Sequence, residues 1–199
     1  MKLPLILASA SPARLALLRQ VGIEPDRVIA ADIDETEYPG EIPRKMAERL
    51  SYGKAIAIAN TIERGIVIGA DTIPVVGRSI MRKASSAEDV RKSLQLLSQR
   101  RHQIYTGVCI IKKDGQEMRE LRRVVKSIVK FKKLSREEID YYCASGEGIG
   151  KAGGYTLTGY AESFVSFLSG SFSNIVGLPL FETMNMLHSV GVTPGVRNK

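Results

Sequence analysis

Leu5–Leu18 reads LILASASPARLALL, and the fold turns on how this stretch divides. The apolar run up to Ala8 suits a buried strand, while the leucines after Pro12 recur at helical spacing. Between them Ser9, Ala10 and Ser11 make a turn. Ser11 is placed to cap the helix, with Pro12 at the first helical position, where a missing N–H is no loss. A helix that opens directly after a strand turns its unpaired amides outward and attracts anions, phosphate above all. Arg14, one turn in, adds a positive charge at the same place.

Working outward, strand and helix patterns alternate. Leu3–Ala8 reads as a strand, Pro12–Val21 as a helix and Arg27–Ala31 as a second short strand, followed by an acidic loop, Asp32–Glu37. Ile42–Asn60 has Ala and Leu at helical spacing and carries Lys54 near its far end. Gly65–Ala70, GIVIGA, is a continuous apolar run that suits a buried strand, with Asp71 at its C-terminal edge. Ser86–Ser98 reads as a helix, Gln103–Lys112 as a strand and Arg119–Lys133 as a basic strand. Ser135 with Glu138 forms a capping-box pattern for a helix through Tyr142. A glycine-rich turn, Gly146–Gly154, precedes a strand through Phe164–Leu168, a turn GSFSNIVGLP, and a helix from Pro179. Such alternation predicts an α/β domain.

With 199 residues and 44% hydrophobic content the chain is long enough for one core, or for two lobes of one domain. No apolar run approaches the roughly 20 residues that span a bilayer, and Met1–Leu5 is too brief for a signal peptide. The expectation is a cytoplasmic protein. Cys109 and Cys143 lack any ligand or redox spacing and read as buried thiols. His102 and His188 stand apart and read as structural. The net charge of +8 invites a nucleic-acid partner, but much of the excess lies in RELRRVVKSIVKFKK, where apolar and basic residues interleave as on a half-exposed strand. No RNA-binding aromatic signature or helix-turn-helix pattern stands out, so no stable nucleic-acid partner is expected. A small phosphate-bearing ligand profits from the same field.

Three literal motif matches are suspect on context, of which the first two fail and the third is kept as the runner-up enzyme reading. Gly148, Gly150 and Gly153 spell GxGxxG after a helix rather than a strand. Gly150-Lys151 resembles a P-loop, but the upstream glycine is one residue too close and Ala152 stands where Ser or Thr would hold magnesium. Asp32–Thr36, DIDET, resembles the DxDxT signature of haloacid-dehalogenase-type phosphatases, yet it follows the second strand and no downstream acidic pair accompanies it. More informative is the set Ser9, Ser11, Arg14, Glu35, Lys54, Asp71 and Lys83, whose members suit phosphate or magnesium chemistry and which an open α/β sheet gathers at its strand ends. Asp71, partly desolvated after GIVIGA, is the candidate base. Lys151 with Gly153 and Gly154 either brings backbone amides to a ligand or forms a tight turn.

Together LASASPAR, DIDET, GKA at Lys54, GADT at Gly69–Thr72, YTG at Tyr105–Gly107, GKAGGY and GSFSNIVGLPLFET resemble, in order and over nearly the whole chain, the Maf family of nucleoside triphosphate pyrophosphatases. The resemblance implies one domain over residues 1–199. Its implied fold is a mixed, curved sheet flanked by helices, two lobes around a deep cleft, similar to inosine triphosphate pyrophosphatase, and often dimeric. It implies cleavage of a nucleoside triphosphate between the α and β phosphates with a divalent cation, Mg²⁺ or Mn²⁺. By this carry-over Asp71 is the proton acceptor, Ser9 and Arg14 form the phosphate turn and Glu35 stands in the acidic loop, while the chemistry of the residues adds Ser11 to that turn and expects Glu35 and Asp71 to hold the metal. Lys54 and Lys83 face the phosphates and take part in catalysis.

Ala13, Thr72 and Thr158 match the positions where the family's substrate preference is read. Ala13 replaces the first of two arginines usual in the thymidine and uridine triphosphate branch, and Thr158 replaces its glutamine. Threonine offers one hydroxyl where glutamine pairs through donor and acceptor together, so base choice is expected to be loosened or altered. The closing motifs favour the pyrimidine branch, with modified bases as further substrates and a housekeeping or cell-division-linked role. The competing reading is a module that binds nucleic acid or a division protein and has lost catalysis at Ala13 and Thr158; retention of Asp71, Glu35, Lys54 and Lys83 favours the enzyme.

Overall fold

A computed structural model describes residues 3–195, so Met1 and Lys2 of the Met1–Leu5 segment and the last four residues of the expected 1–199 domain lie outside it. The chain forms β1 (Leu5–Ala8), α1 (Pro12–Gln20), β2 (Arg27–Val28), α2 (Pro43–Ala59), β3 (Arg64–Val76), β4 (Ser79–Ile80) and α3 (Ala87–Leu97). Then come β5 (Arg101–Asp114), β6 (Glu117–Phe131), α4 (Arg136–Ser145), a 3₁₀ turn (Tyr160–Phe164), β7 (Val165–Ser169), α5 (Phe172–Val176) and α6 (Leu180–Ser189). The expected α/β architecture holds: the seven-stranded sheet has the order β2-β1-β3-β5-β6-β7, with β4 paired to β3. It is mixed, because β1 runs parallel to β2 and β3 while β3–β4 and β6–β7 are antiparallel. Among the described residues no helix is long and apolar enough to cross a membrane.

Four departures from the sequence reading have local causes. The first strand starts at Leu5, since Pro4 has no N–H to give to a ladder and only its carbonyl is used, by Ile66. The second ends at Val28, after which the chain leaves the sheet toward the acidic loop. β3 does not stop at Asp71: it runs to Val76 and turns back through Gly77 and Arg78 into β4, pairing Val75 with Ile80. Asp71 is therefore inside a strand rather than at its edge. The segment GSFSNIVGLP is not all turn, for Phe172–Val176 forms a helical turn within it. The expected Ser135–Glu138 capping box is fully made, and Ser86, read as the first residue of its helix, is instead its N-cap, with Oγ accepting from Asp89 N.

The chain divides into two compact units. The first comprises residues up to Asp71, Thr106–Val125 and Gly177 onward. Here α2 lies on one face of β1, β3 and β5, where Ala55, Ile58 and Ala59 pack on Ile6, Ala8, Val67, Cys109 and Ile111. Ala47, Ser51, Ala55 and Ala59, spaced one helical turn apart, are all fully buried. Opposite them stand Gly69 and Gly107. A Cβ on Gly69 would run into Ser51 O and lie 2.6 Å from Ala55 N, and one on Gly107 would run into Ala47 O and lie 2.6 Å from Ser51 Oγ. Small residues on the helix and bare backbone on the strands thus let α2 approach the sheet more closely than ordinary side chains allow.

The second unit comprises Thr72–Tyr105 and Lys126–Val176. Its core gathers Val90, Leu94 and Leu97 of α3 with Phe131, Tyr142, Tyr155 and Phe164. His102 is structural, as expected: it is 1% exposed, its Nε2 is 2.6 Å from the Tyr155 hydroxyl, and Phe131 meets it edge-on. His188, by contrast, is exposed. Both cysteines are buried and free, and burial pushes the Cys109 thiol up to about 12.

Two outcomes follow for stability. Gly107→Ala should lower it by about 3 kcal/mol, the upper range for an overpacked core, measured by denaturant unfolding. Burial also holds the His102 imidazole down to about 4, so its neutral form is what the fold accepts. That contribution is complete above the ordinary histidine value and is lost as pH falls toward 4, amounting to about 3 kcal/mol. His102→Phe should flatten the decline of unfolding free energy between pH 6.5 and 4.

Candidate active site

The first unit brings Ser9, Arg14, Glu35, Lys54 and Asp71 together. Lys54 and Asp71 are each only 7% exposed. Along β3 the side chains alternate, so Val67, Gly69 and Asp71 share the face beneath α2. Lys54, between the Ser51 and Ala55 contacts with Gly69, reaches Asp71 directly: its Nζ bonds Asp71 Oδ1. The same ammonium lies 2.6 Å from Glu35 Oε1, which descends from the acidic loop. Asp71 is desolvated, as its strand context suggested, and has a cation beside it.

Arg14 completes the charge balance. Its Nε donates to Gly177 O at 2.9 Å and its Nη1 to Ser9 Oγ at 3.0 Å, so the start of α1 is tied to the segment before α6. Desolvation pushes the guanidinium below its ordinary value, and the carboxylates of Asp71 and Glu35 pull it back up. Two buried or half-buried cations and two carboxylates therefore compensate one another. Removing one partner of the buried Lys54–Asp71 pair leaves the other desolvated, a loss of about 3–5 kcal/mol, whereas Glu35 is more open to solvent and its removal costs less.

The serines play other parts than helix capping. Ser9 Oγ accepts from Ser11 N at 3.2 Å as well as from Arg14. Ser11 is at the N-cap with Pro12 at N1, as expected, but its hydroxyl makes no capping bond. Ala13 is half-buried on the first turn of α1. Asp34, the second acid of DIDET, accepts from Thr36 N at 2.9 Å in a local turn. No strand ends at that motif, which removes the phosphatase resemblance it carried.

Thr72, Lys83 and Thr158 belong to the second unit. Thr72 follows Asp71 on β3 and is half-buried. Lys83 is exposed, while its backbone pairs with Ala152. Ala84 beside it is buried and exchanges bonds with the glycine turn, Ala84 N to Lys151 O at 3.0 Å and Gly150 N to Ala84 O at 2.8 Å. That chain is pinned rather than loose. The turn's other amides are also engaged internally, Gly153 N with Arg82 O and Gly154 N with Lys151 O, which favours the tight-turn reading over an amide cradle. Thr158 is exposed, its Oγ1 2.9 Å from Thr156 Oγ1.

Sequence reasoning passed over three contributors: the carbonyl of Gly177, the glycine pair under α2, and Arg49. Arg49 Nε and Nη2 meet Glu41 at 2.7 and 2.6 Å, and Nη2 also donates to Thr36 O at 3.0 Å. Gly69 and Gly107 stood out in the sequence only as members of GADT and YTG, and the spacing of Ala47, Ser51, Ala55 and Ala59 signals their packing role once the facing strands are known.

The Maf family, described as Maf-like protein, matches residues 4–190. The nucleoside triphosphate pyrophosphatase of Rickettsia rickettsii (strain Sheila Smith) is 55% identical over 190 residues, covering 95% of this chain and 88% of its own length. That of Rickettsia felis (strain ATCC VR-1525 / URRWXCal2) is 54% identical over 190 residues, covering 95% and 94%. Among solved structures, the Staphylococcus aureus Ham1 protein aligns with 63% of this chain and 71% of its own at a TM-score of 0.40 and 21% identity, too loose an overlay to bear on the site. The ordered motifs, the charge cluster they build and a match through nearly the whole chain agree, and the chain belongs to the Maf-like protein family.

Proposed function

We propose that this chain hydrolyses a nucleoside triphosphate between its α and β phosphates, releasing the monophosphate and pyrophosphate, with Asp71 as the base. The observation that carries the reading is the buried Lys54, bonded at once to Asp71 and Glu35 beside Arg14. Relatives named nucleoside triphosphate pyrophosphatase at 55% identity support it. The proposal treats 1–199 as one domain, supported by a single family match that runs through both units. A cytoplasmic, dimeric enzyme without a stable nucleic-acid partner is carried over from the sequence reading.

The two carboxylates that converge on Lys54 are hard oxygen donors, a set that fits Mg²⁺ or Mn²⁺ completing its shell with phosphate oxygens and water. A divalent ion held by Glu35 and Asp71 would supply charge neutralisation along the triphosphate. Asp71 takes the proton of the water whose oxygen bonds the α phosphorus as the bond to the departing pyrophosphate oxygen breaks. Arg14 and Lys54 offset the charge that develops on that leaving group, with Ser9 holding Arg14 in place. Lys83 joins them through the resemblance alone. No covalent intermediate is needed.

Pyrimidine triphosphates are the proposed first substrates, with modified bases accepted as well, and Ala13, Thr72 and Thr158 as the residues that read the base. The Thr156–Thr158 hydroxyl pair supports a loosened preference, because the one hydroxyl at Thr158 already has a neighbour.

Pyrophosphate release across a panel of ordinary and base-modified triphosphates, with Mg²⁺ or Mn²⁺, tests the reading. Asp71→Asn should abolish release while nucleotide binding, followed by calorimetry, stays near wild type; unchanged release removes Asp71 from its role. Arg14→Ala should raise the Michaelis constant or slow turnover at least about tenfold, the scale of one lost charge-assisted hydrogen bond. Folded wild type that releases pyrophosphate from no member of the panel would return the protein to the binding-module reading.

A further inference from the structure

Glu35 is carried by a long connection between β2 and α2 that has no regular structure of its own, yet it must meet a buried lysine. Loops of that length adopt one shape only when something holds them. The holder is on α2, five residues before Lys54: the Arg49 guanidinium forks onto both oxygens of Glu41, at 2.7 and 2.6 Å, from the loop's far end. Its Nη2 also donates to the carbonyl of Thr36, the residue directly after Glu35, at 3.0 Å. The Tyr38 ring lies against the guanidinium, 3.9 Å from ring centre to the guanidinium carbon. The clasp is partly sheltered, with side chains 25% and 10% exposed for Arg49 and Glu41, and its bonds hold the Glu41 carboxyl below its ordinary value. A second seat lies at Gly53 of α2, where Ile33 of the loop approaches so closely that a Cβ would be 3.0 Å from its Cδ1.

We propose that Arg49 is a positioning residue for the reaction: by gripping Glu41, Thr36 and Tyr38 together it fixes the chain beside Glu35, so that Glu35 is presented to the cation site without Arg49 touching substrate. This rests on the proposed role of Glu35 as a metal-holding carboxylate. Lysine cannot replace it, because one ammonium on a flexible stem does not make a planar fork, a third bond to a carbonyl and a stacked face at once.

The test follows Mn²⁺ binding by electron paramagnetic resonance in the full chain with an α,β-methylene analogue of a pyrimidine triphosphate, beside pyrophosphate release. Arg49→Lys should weaken Mn²⁺ binding by about tenfold, as loss of a partner behind a metal ligand does, and the activity defect should shrink as metal is raised. In a Glu35→Gln background Arg49→Lys should add little, since both changes remove the same contribution. Should Arg49→Lys fail to fold, Glu41→Gln, which opens the clasp from the loop side, must give the same weakening. Wild-type Mn²⁺ affinity in the folded variants, or a full additive loss in the double variant, overturns the clasp. Wild type that releases no pyrophosphate overturns the functional reading itself, and the positioning role with it.

Discussion

Everything at the site depends on how closely α2 approaches the sheet. Ala47, Ser51, Ala55 and Ala59 meet the bare backbone of Gly69 and Gly107, and at that height Lys54 reaches Asp71. A lysine this deeply buried needs compensating charge, which Asp71 and Glu35 provide. The helix seat admits not even an added Cβ on the facing strands, and that close packing sets the height at which the charges above it meet.

Arg14 and Arg49 serve that set differently. Arg14 is within the field of both carboxylates and is anchored by Ser9 and by the carbonyl of Gly177, so the opening strand–turn–helix is locked to the last part of the first unit. Arg49 is outside the charge cluster's direct contacts and controls the loop from which Glu35 descends. The serine-rich turn that begins the chain thus works less as a helix cap than as a mount for an arginine, since Ser11 makes no capping bond while Ser9 accepts two.

The second unit rests on aromatic packing. Phe131, Tyr142, Tyr155 and Phe164 close its core, and the GKAGGY turn is stitched to Lys83 and Ala84 by backbone bonds. A glycine-rich motif that looks like a phosphate cradle in one dimension has spent its amides on the neighbouring chain. Two of the basic residues along β6 have local partners, Arg122 pairing with Glu120 and lying over Tyr52, and Lys126 lying over Tyr105.

Much was determined by the sequence alone, because much of it is local. Capping at Ser86 and Ser135, proline at the starts of α1 and α2, the apolar runs of β1 and β3 and the alternation of elements depend on near neighbours, and each is where its residues put it. Asp71, Glu35, Lys54 and Arg14 were legible as a set through the order of the motifs. What tertiary structure decided involves partners distant in the chain. β3 runs past Asp71 because Val75 and Val76 find Ile80 and Ser79 across a hairpin. Lys54 chooses both carboxylates, Arg14 finds Gly177, and Gly69 and Gly107 matter only because α2 lies over them. A strand's length, an ion pair and a close approach are fixed by which surfaces meet, and a chain read residue by residue contains the surfaces without their meeting.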